Sequence, residues 1–181
     1  MKTAAYSVGN LKEMISRKYL ILLSTVGLVV ALDQLTKNLV VSRFHLGDTQ
    51  PLLESMLNIT RVHNSGAAFG LLATLPPNLR DPFFFVVPGL TLAVILFVFY
   101  RLREAQSLST YALAMIVGGA LGNLADRIRL GFVIDFLDFH WYSGWHFPAF
   151  NVADAAISLG VAMLLVAMLQ EKDETAAKVM A

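Results

Sequence analysis

Four long apolar runs, set apart by polar segments, dominate the pattern of this chain; they cover about 19–41, 82–100, 110–125 and 151–169. An α-helix needs about 20 predominantly apolar residues to cross the hydrocarbon core of a bilayer, so each run is read as a spanning helix. The first run follows a basic stretch and has the outline of a secretory leader. It is too long for a leader's apolar core, it contains Asp33 and Lys37, and no small-residue cleavage pattern follows it. It is therefore expected to be a retained helix.

The pattern changes between the first and second runs. Gly47-Asp48 and Gln50-Pro51 mark turns, and residues 56–63 alternate as a strand does. Residues 64–70 form a glycine-punctuated loop, and Pro76-Pro77 is a breaker. The expected fold is membrane all-α. It is a single integral membrane domain over 1–181, a four-transmembrane-helix bundle with a small β-cradle at about 42–81 between helices 1 and 2, and a second connecting loop at about 126–150.

Composition agrees with this reading. Of the 181 residues, 56% are hydrophobic and only 15% charged, whereas soluble domains carry about a quarter charged residues. The absence of cysteine excludes thiol catalysis, thiolate–metal sites and disulfides. With a net charge of +1 and no basic cluster, nothing points to nucleic acid.

Charge also orients the chain. Lys2, Lys12, Arg17, Lys18, Arg101, Arg103, Lys172 and Lys178 lie in the termini and the 101–109 loop. Arg43, Arg61, Arg80, Arg127 and Arg129 lie in the two loops opposite. This bias places both termini in the cytoplasm, with the β-rich segment and the 126–150 segment outside.

Depth then gathers the polar groups. At 1.5 Å per residue, Asp33 sits roughly 20 Å up the first helix, in the outer half of the bilayer. Asn123 and Asp126 are placed at the outer end of the third helix, and Asp154 about one turn into the fourth. Two copies of one pattern, Asn123-Leu-Ala-Asp126 and Asn151-Val-Ala-Asp154, border this level. Ionisable groups at membrane depth are costly and usually functional, so a carboxylate site at the outer leaflet boundary is expected.

Asp33 and Lys37 form an i,i+4 pair that can neutralise itself, read equally as a structural ion pair or as a pair facing substrate. Asp126 precedes Arg127, and the two are read as an ion pair fixing the end of the third helix, with a carboxylate held ionised. Asn123 and Asn151 serve equally well as caps or bridges between helices. Asp135 and Asp154 have apolar flanks and no adjacent cation. Apolar surroundings raise a carboxyl pKa, and two such groups sharing a proton suit attack of water on an amide. Asp138 is read as a solvated loop residue.

Other chemistries have less support. Ser65 has no histidine placed within a helix to serve it, and His45, His63, His140 and His146 lack zinc-ligand spacing. No metal and no cofactor are expected. From the residues alone, the choice of reacting pair among Asp126, Asp135, Asp138 and Asp154 stays open. A small transporter whose aspartates relay ions, or a lipid-binding membrane scaffold, remains as an alternative; the lack of inverted repeats disfavours transport.

Five ordered blocks carry a resemblance. They are Asp33-Gln-Leu-Thr-Lys37, Asn64-Ser-Gly-Ala-Ala-Phe69, Gly118-Gly-Ala-Leu-Gly-Asn-Leu-Ala-Asp-Arg127, Val133-Ile-Asp-Phe136 and Phe147-Pro-Ala-Phe-Asn-Val-Ala-Asp154. Together they resemble the lipoprotein signal peptidases, also called signal peptidase II, over about 32–169. The resemblance implies a bacterial intramembrane aspartyl endopeptidase of the cytoplasmic (inner) membrane. Its substrate is a prolipoprotein, cut before a diacylglyceryl-modified cysteine. The same resemblance implies Asp135 and Asp154 as the catalytic pair, with Asp33, Lys37, Asn64, Gly66, Asn123, Asp126, Arg127 and Asn151 supporting the site or contacting substrate. It implies contact with membrane lipid and inhibition by globomycin-type inhibitors, and the enzyme is expected to work as a monomer.

Overall fold

The computed structural model describes residues 16–54, 56–65, 76–103, 106–141 and 145–180. In chain order the elements are α1 (Arg17–Arg43), β1 (Thr49–Leu53), β2 (Leu57–Asn64), α2 (Pro77–Arg101), α3 (Ser107–Leu130), β3 (Val133–Trp141), β4 (Trp145–His146) and α4 (Val152–Met180). All four helices are long and apolar enough to cross a membrane.

The bundle has its polarity turned inward. On α1 the buried positions Ile21, Val29, Asp33, Lys37 and Val40 recur at helical spacing and form one stripe. Leu20, Leu23, Leu28, Leu32, Leu35 and Leu39 of the same helix are exposed. An exposed leucine face is favourable where the solvent is acyl chain rather than water, and charged groups are then driven to the interior. Helix α3 occupies the centre, because most of its apolar stretch is buried while the other three spans leave most of theirs outward.

Small residues allow this close packing. A Cβ on Gly119 would run into the Ala153 carbonyl oxygen, and one on Gly122 would lie 2.7 Å from Asp33 Oδ2. α4 can therefore press its first turn onto α3, and α1 can bring an aspartate against the same turn of α3. Helix α3 ends where Gly131 adopts a left-handed conformation (φ 81°) and donates its N–H to the Arg127 carbonyl at 3.0 Å.

The sheet is larger than the expected cradle between helices 1 and 2. Its strand order is β1-β2-β3-β4, antiparallel throughout. Two of its strands come from the segment expected to be a loop at about 126–150. Residues 126–130 complete α3, and Val133–Trp141 pair with β2, Asn64 opposite Val133 and Val62 opposite Asp135. The reason lies in Val-Ile-Asp-Phe-Leu-Asp-Phe-His-Trp: β-branched and aromatic residues favour a pleated, half-buried strand, whatever chemistry its aspartates carry. The helix bounds also differ from expectation, since α2 begins at Pro77, with a proline suited to a first turn, and α4 continues as helix through the charged tail to Met180.

Two attachments hold the sheet to the bundle. Arg61 on β2 donates to the carbonyls of Phe44 (2.9 Å) and Val41 (3.4 Å) at the end of α1, where helix carbonyls lack partners. Phe150, just before α4, is stitched to β3. Its carbonyl accepts from the N–H groups of Phe136 (3.0 Å) and Leu137 (2.8 Å), and its own N–H donates to the Leu137 carbonyl at 3.0 Å. That stitch sets the start of α4 beside the strand that carries Asp135.

Candidate active site

The start of α4 is capped twice. Asn151 and Asp154 form a reciprocal capping pair: the Asp154 N–H donates to Asn151 Oδ1 (2.9 Å) and the Asn151 N–H to Asp154 Oδ2 (3.2 Å). Asp33 of α1 accepts from the Ala153 N–H at 3.0 Å, a favourable place for a carboxylate at a helix N-terminus. Asp154 is thus fixed by its own helix end, and stays half-buried.

Below it lies a buried ionic cluster. Lys37 Nζ is 2.8 Å from Asp33 Oδ2 and 2.9 Å from Asp126 Oδ2, and donates to Asn123 Oδ1 at 3.0 Å. An ammonium group has three hydrogens, and all three are used. Lys37, Asp33 and Asp126 are each at most 2% exposed. Asp126 also accepts from the Ile134 N–H (3.2 Å), one residue before Asp135. Asp126 therefore pairs with Lys37 across helices. The ion pair expected with its chain neighbour Arg127 is replaced by this one, because successive helical residues point about 100° apart and Asp126 faces α1. The Arg127 guanidinium lies over the Phe84 ring, 5.1 Å from its centroid, and remains near enough to Asp154, Asp135 and Asp126 to act on each electrostatically.

Two asparagines carry the cluster's order outward. Held by Lys37, Asn123 donates through Nδ2 to Asp154 Oδ1 at 2.7 Å. Asn151 donates through Nδ2 to Asp135 Oδ1 at 2.7 Å and to Asn123 Oδ1 at 3.1 Å. Asp135 receives a second donor, Asn64 Nδ2 on β2, at 2.9 Å to Oδ2. Burial pushes the Asp135 pKa up to about 6, with the Asp154 charge adding to the rise; the amide donors of Asn64 and Asn151 and the Lys37 charge oppose it. Asn151 thus touches both carboxyls, Asp135 with its side chain and Asp154 with its backbone. Two carboxyls joined through one asparagine, with neutral donors on their oxygens, are suited to exchanging a proton.

The structure brings together Asp33, Lys37, Asn64, Asn123, Asp126, Arg127, Asp135, Asn151 and Asp154. Gly66, and Phe69 in the same block, lie outside the described residues. Asp138 is a strand residue, not a loop residue; an odd number of positions from Asp135, it points to the other face of β3 and accepts from Asn58 Nδ2 at 3.0 Å. Among the described residues no group of His, Cys, Asp or Glu is arranged to hold a metal ion. Sequence reasoning missed Gln34, Gly122 and Arg129. Gln34 donates to Asp126 Oδ1 at 2.9 Å and accepts from Arg129 Nη1 at 3.0 Å. Its place directly after Asp33 was the available signal.

Comparison with known proteins points the same way. Residues 25–170 match a family described as signal peptidase (SPase) II. The chain is 44% identical over 154 residues to the lipoprotein signal peptidase of Syntrophotalea carbinolica, covering 85% of this chain and 94% of that protein. It is 46% identical over 159 residues to that of Syntrophus aciditrophicus (87% and 98% covered) and 48% identical over 143 residues to that of Geobacter sulfurreducens (79% and 88%). Two solved structures, each described as a bacterial membrane enzyme, superpose with TM-scores of 0.74 and 0.72 at 30% and 29% identity. They cover 84% and 82% of this chain, and 90% and 92% of their own.

Proposed function

This chain belongs to the signal peptidase II family, and we propose that it is a lipoprotein signal peptidase that works as an intramembrane aspartyl endopeptidase with Asp135 and Asp154 as its catalytic pair. The observation that carries this reading is the bridging of both carboxyls by Asn151 (2.7 Å to Asp135 and 3.2 Å to Asp154), beside an ionic cluster that leaves neither of them paired to Lys37.

The chemistry follows from the two carboxyls sharing one proton. The ionised member takes a proton from water as the water oxygen attacks the scissile carbonyl carbon. The protonated member hydrogen-bonds the carbonyl oxygen and transfers its proton there, giving a neutral tetrahedral diol. Collapse returns a proton from one hydroxyl to a carboxylate, while the other carboxyl protonates the departing nitrogen. The carboxyl and amine products separate with the pair back in its starting state. Asn123, Asn151 and Asn64 hold the carboxyls through neutral donors, so either proton state is accommodated.

The substrate under this reading is a prolipoprotein cut before its diacylglyceryl-modified cysteine. The lipid, resident in the outer leaflet, holds the cysteine at the level of Asp154 and makes the attack effectively intramolecular. The whole chain acts as one multi-pass integral membrane domain of the bacterial inner membrane. Both termini are cytoplasmic, and the site lies near the outer leaflet. It works as a monomer without metal or cofactor, and globomycin-type inhibitors act on it. The test is cleavage by the purified protein of one prolipoprotein with and without its diacylglyceryl group, in the same bilayer. The lipidated form should be cut at least about 10²-fold faster, the scale of a positioning gain. Equal rates would sink the role of the lipid, and no cleavage of either form would sink the peptidase reading.

A further inference from the structure

We propose that Gln34, with Arg129 behind it, is a positioning residue for the aspartate pair, a role that rests on the peptidase reading above. Gln34 touches no reacting group. It acts through Asp126 and Lys37, at the point from which the supports of both catalytic carboxyls start.

The geometry is specific. Gln34 Nε2 donates to Asp126 Oδ1 at 2.9 Å and lies 3.2 Å from both the Gly122 carbonyl and Asp33 Oδ2. Its Oε1 accepts from Arg129 Nη1 at 3.0 Å. The amide orientation is dictated by its surroundings: a flipped amide would set an oxygen against three acceptors and a nitrogen against a guanidinium. With Oδ1 of Asp126 occupied by Gln34, Oδ2 is left to face Lys37 (2.9 Å) and the Ile134 N–H (3.2 Å). The first contact leads through Lys37 and Asn123 to Asp154. The second holds β3 at the residue before Asp135.

Charge explains why an amide suits this position. Asp33 and Asp126 share one lysine in the buried cluster, so carboxyl oxygens outnumber the hydrogens its ammonium can offer. Gln34 supplies two N–H groups to it without adding charge, and its oxygen ties the cluster to an exposed guanidinium at the outer end of α3. Glutamate has nearly the same shape, but when ionised it only accepts hydrogen bonds. In this place it would set a third carboxylate against the other two.

The test uses the full-length protein and a diacylglyceryl-modified prolipoprotein. Gln34→Met keeps the volume and removes the hydrogen bonds. It should lower kcat by about 10–100-fold with KM changed by less than about two-fold. Gln34→Glu should be similarly impaired at pH 8 and recover relative to wild type as pH falls towards 5.5, because a protonated carboxyl regains one donor. A purely structural role would not produce that pH-dependent ratio. Arg129 is exposed, so Arg129→Met does not threaten insertion; it should lower kcat by about two- to five-fold, and Arg129→Lys should restore most of the loss. A kcat for Gln34→Met within about two-fold of wild type per folded molecule, a flat Gln34→Glu ratio across pH, or an unchanged kcat in Arg129→Met would each overturn the proposal. Failure of the peptidase reading shows separately, as absence of cleavage by the wild-type protein, and failure of the pair assignment as activity retained by Asp135→Asn assayed alongside.

Discussion

Two pairs of aspartates sit side by side at the sheet end of this bundle, and they are held by opposite means. Asp33 and Asp126 flank Lys37 at 2.8 and 2.9 Å. Asp135 and Asp154 are held by Asn151, Asn64, Asn123 and backbone N–H groups. The first pair shares one cation, and Asp33 also accepts from the Ala153 N–H, so it serves to lock α1, α3 and α4 together. Amide donors satisfy a carboxyl oxygen without supplying a full charge, so the second pair can gain and lose a proton while keeping its place. The contrast teaches that the partner's charge, more than the aspartate's depth, separates the anchoring carboxylates from the pair proposed to react.

The sharpest break of this comparison is at the proposed catalytic pair. Asp135→Asn and Asp154→Asn should each reduce turnover by roughly 10²–10⁴-fold or more, the scale of acid–base catalysis, while the protein still inserts and its Tm moves by only a few degrees. Cleavage assays on detergent-purified variants check this. Near-normal turnover in either variant removes the assignment.

Next is the anchoring pair. Lys37→Met leaves Asp33 and Asp126 buried without their cation, which should destabilise the fold by about 3–5 kcal/mol. Adding Asp126→Asn to Lys37→Met should recover part of that loss, since one uncompensated charge goes with it. Thermal unfolding in a fixed detergent measures both. A Lys37→Met protein as stable as wild type would mean that the cluster does not anchor the bundle.

The pH dependence sharpens the same contrast. The Asp135 pKa is raised from 3.8 to about 6 on folding, so its ionisation opposes the folded state. Its contribution to stability is fully present below the unfolded value near 3.8 and is lost as pH rises through about 6. Between pH 7 and pH 4 this group should add on the order of 1–3 kcal/mol to folding stability, and Asp135→Asn should flatten that part of the curve. Unfolding midpoints across pH for wild type and variant decide it; identical slopes would show that Asp135 ionises as easily in the folded chain as in the unfolded one.

The smallest effect is expected at Asp138, three residues from Asp135 and on the other face of β3. Asp138→Asn keeps an acceptor for Asn58, so stability should change by less than about 0.5 kcal/mol and turnover by less than about two-fold. A large loss of activity would mean that the two faces of β3 are not separated as described.

Much of this protein is legible from local pattern, because local pattern is written in residues a few positions apart. The apolar runs state that there are spanning helices, and the i,i+4 spacing of Asp33 and Lys37 states their pairing before any fold is known. The apolar flanks of Asp135 and Asp154 set them apart from Asp33 and Asp126, which have a basic residue close by in the chain. Partner choice between elements was not legible. The two Asn-x-Ala-Asp copies look like self-contained units, yet Asn123 holds Asp154 and Asn151 reaches Asp135. Likewise Asp126 passes over its neighbour Arg127 for a lysine 89 positions away in the chain. Those choices depend on how closely three helices approach, which Gly119 and Gly122 permit by having no side chain where Ala153 and Asp33 must sit. Strand β3 was hidden for a related reason: it becomes a strand by pairing with β2, some 70 residues earlier, and its aspartates drew attention to chemistry rather than to pleat. Sequence by itself determined that carboxylates gather at one end of the helical bundle. Only the tertiary structure decided which of them a cation would hold and which would be left to amides, because hydrogen-bond partners are selected by distance across packed elements, and that distance is a property of the assembled bundle.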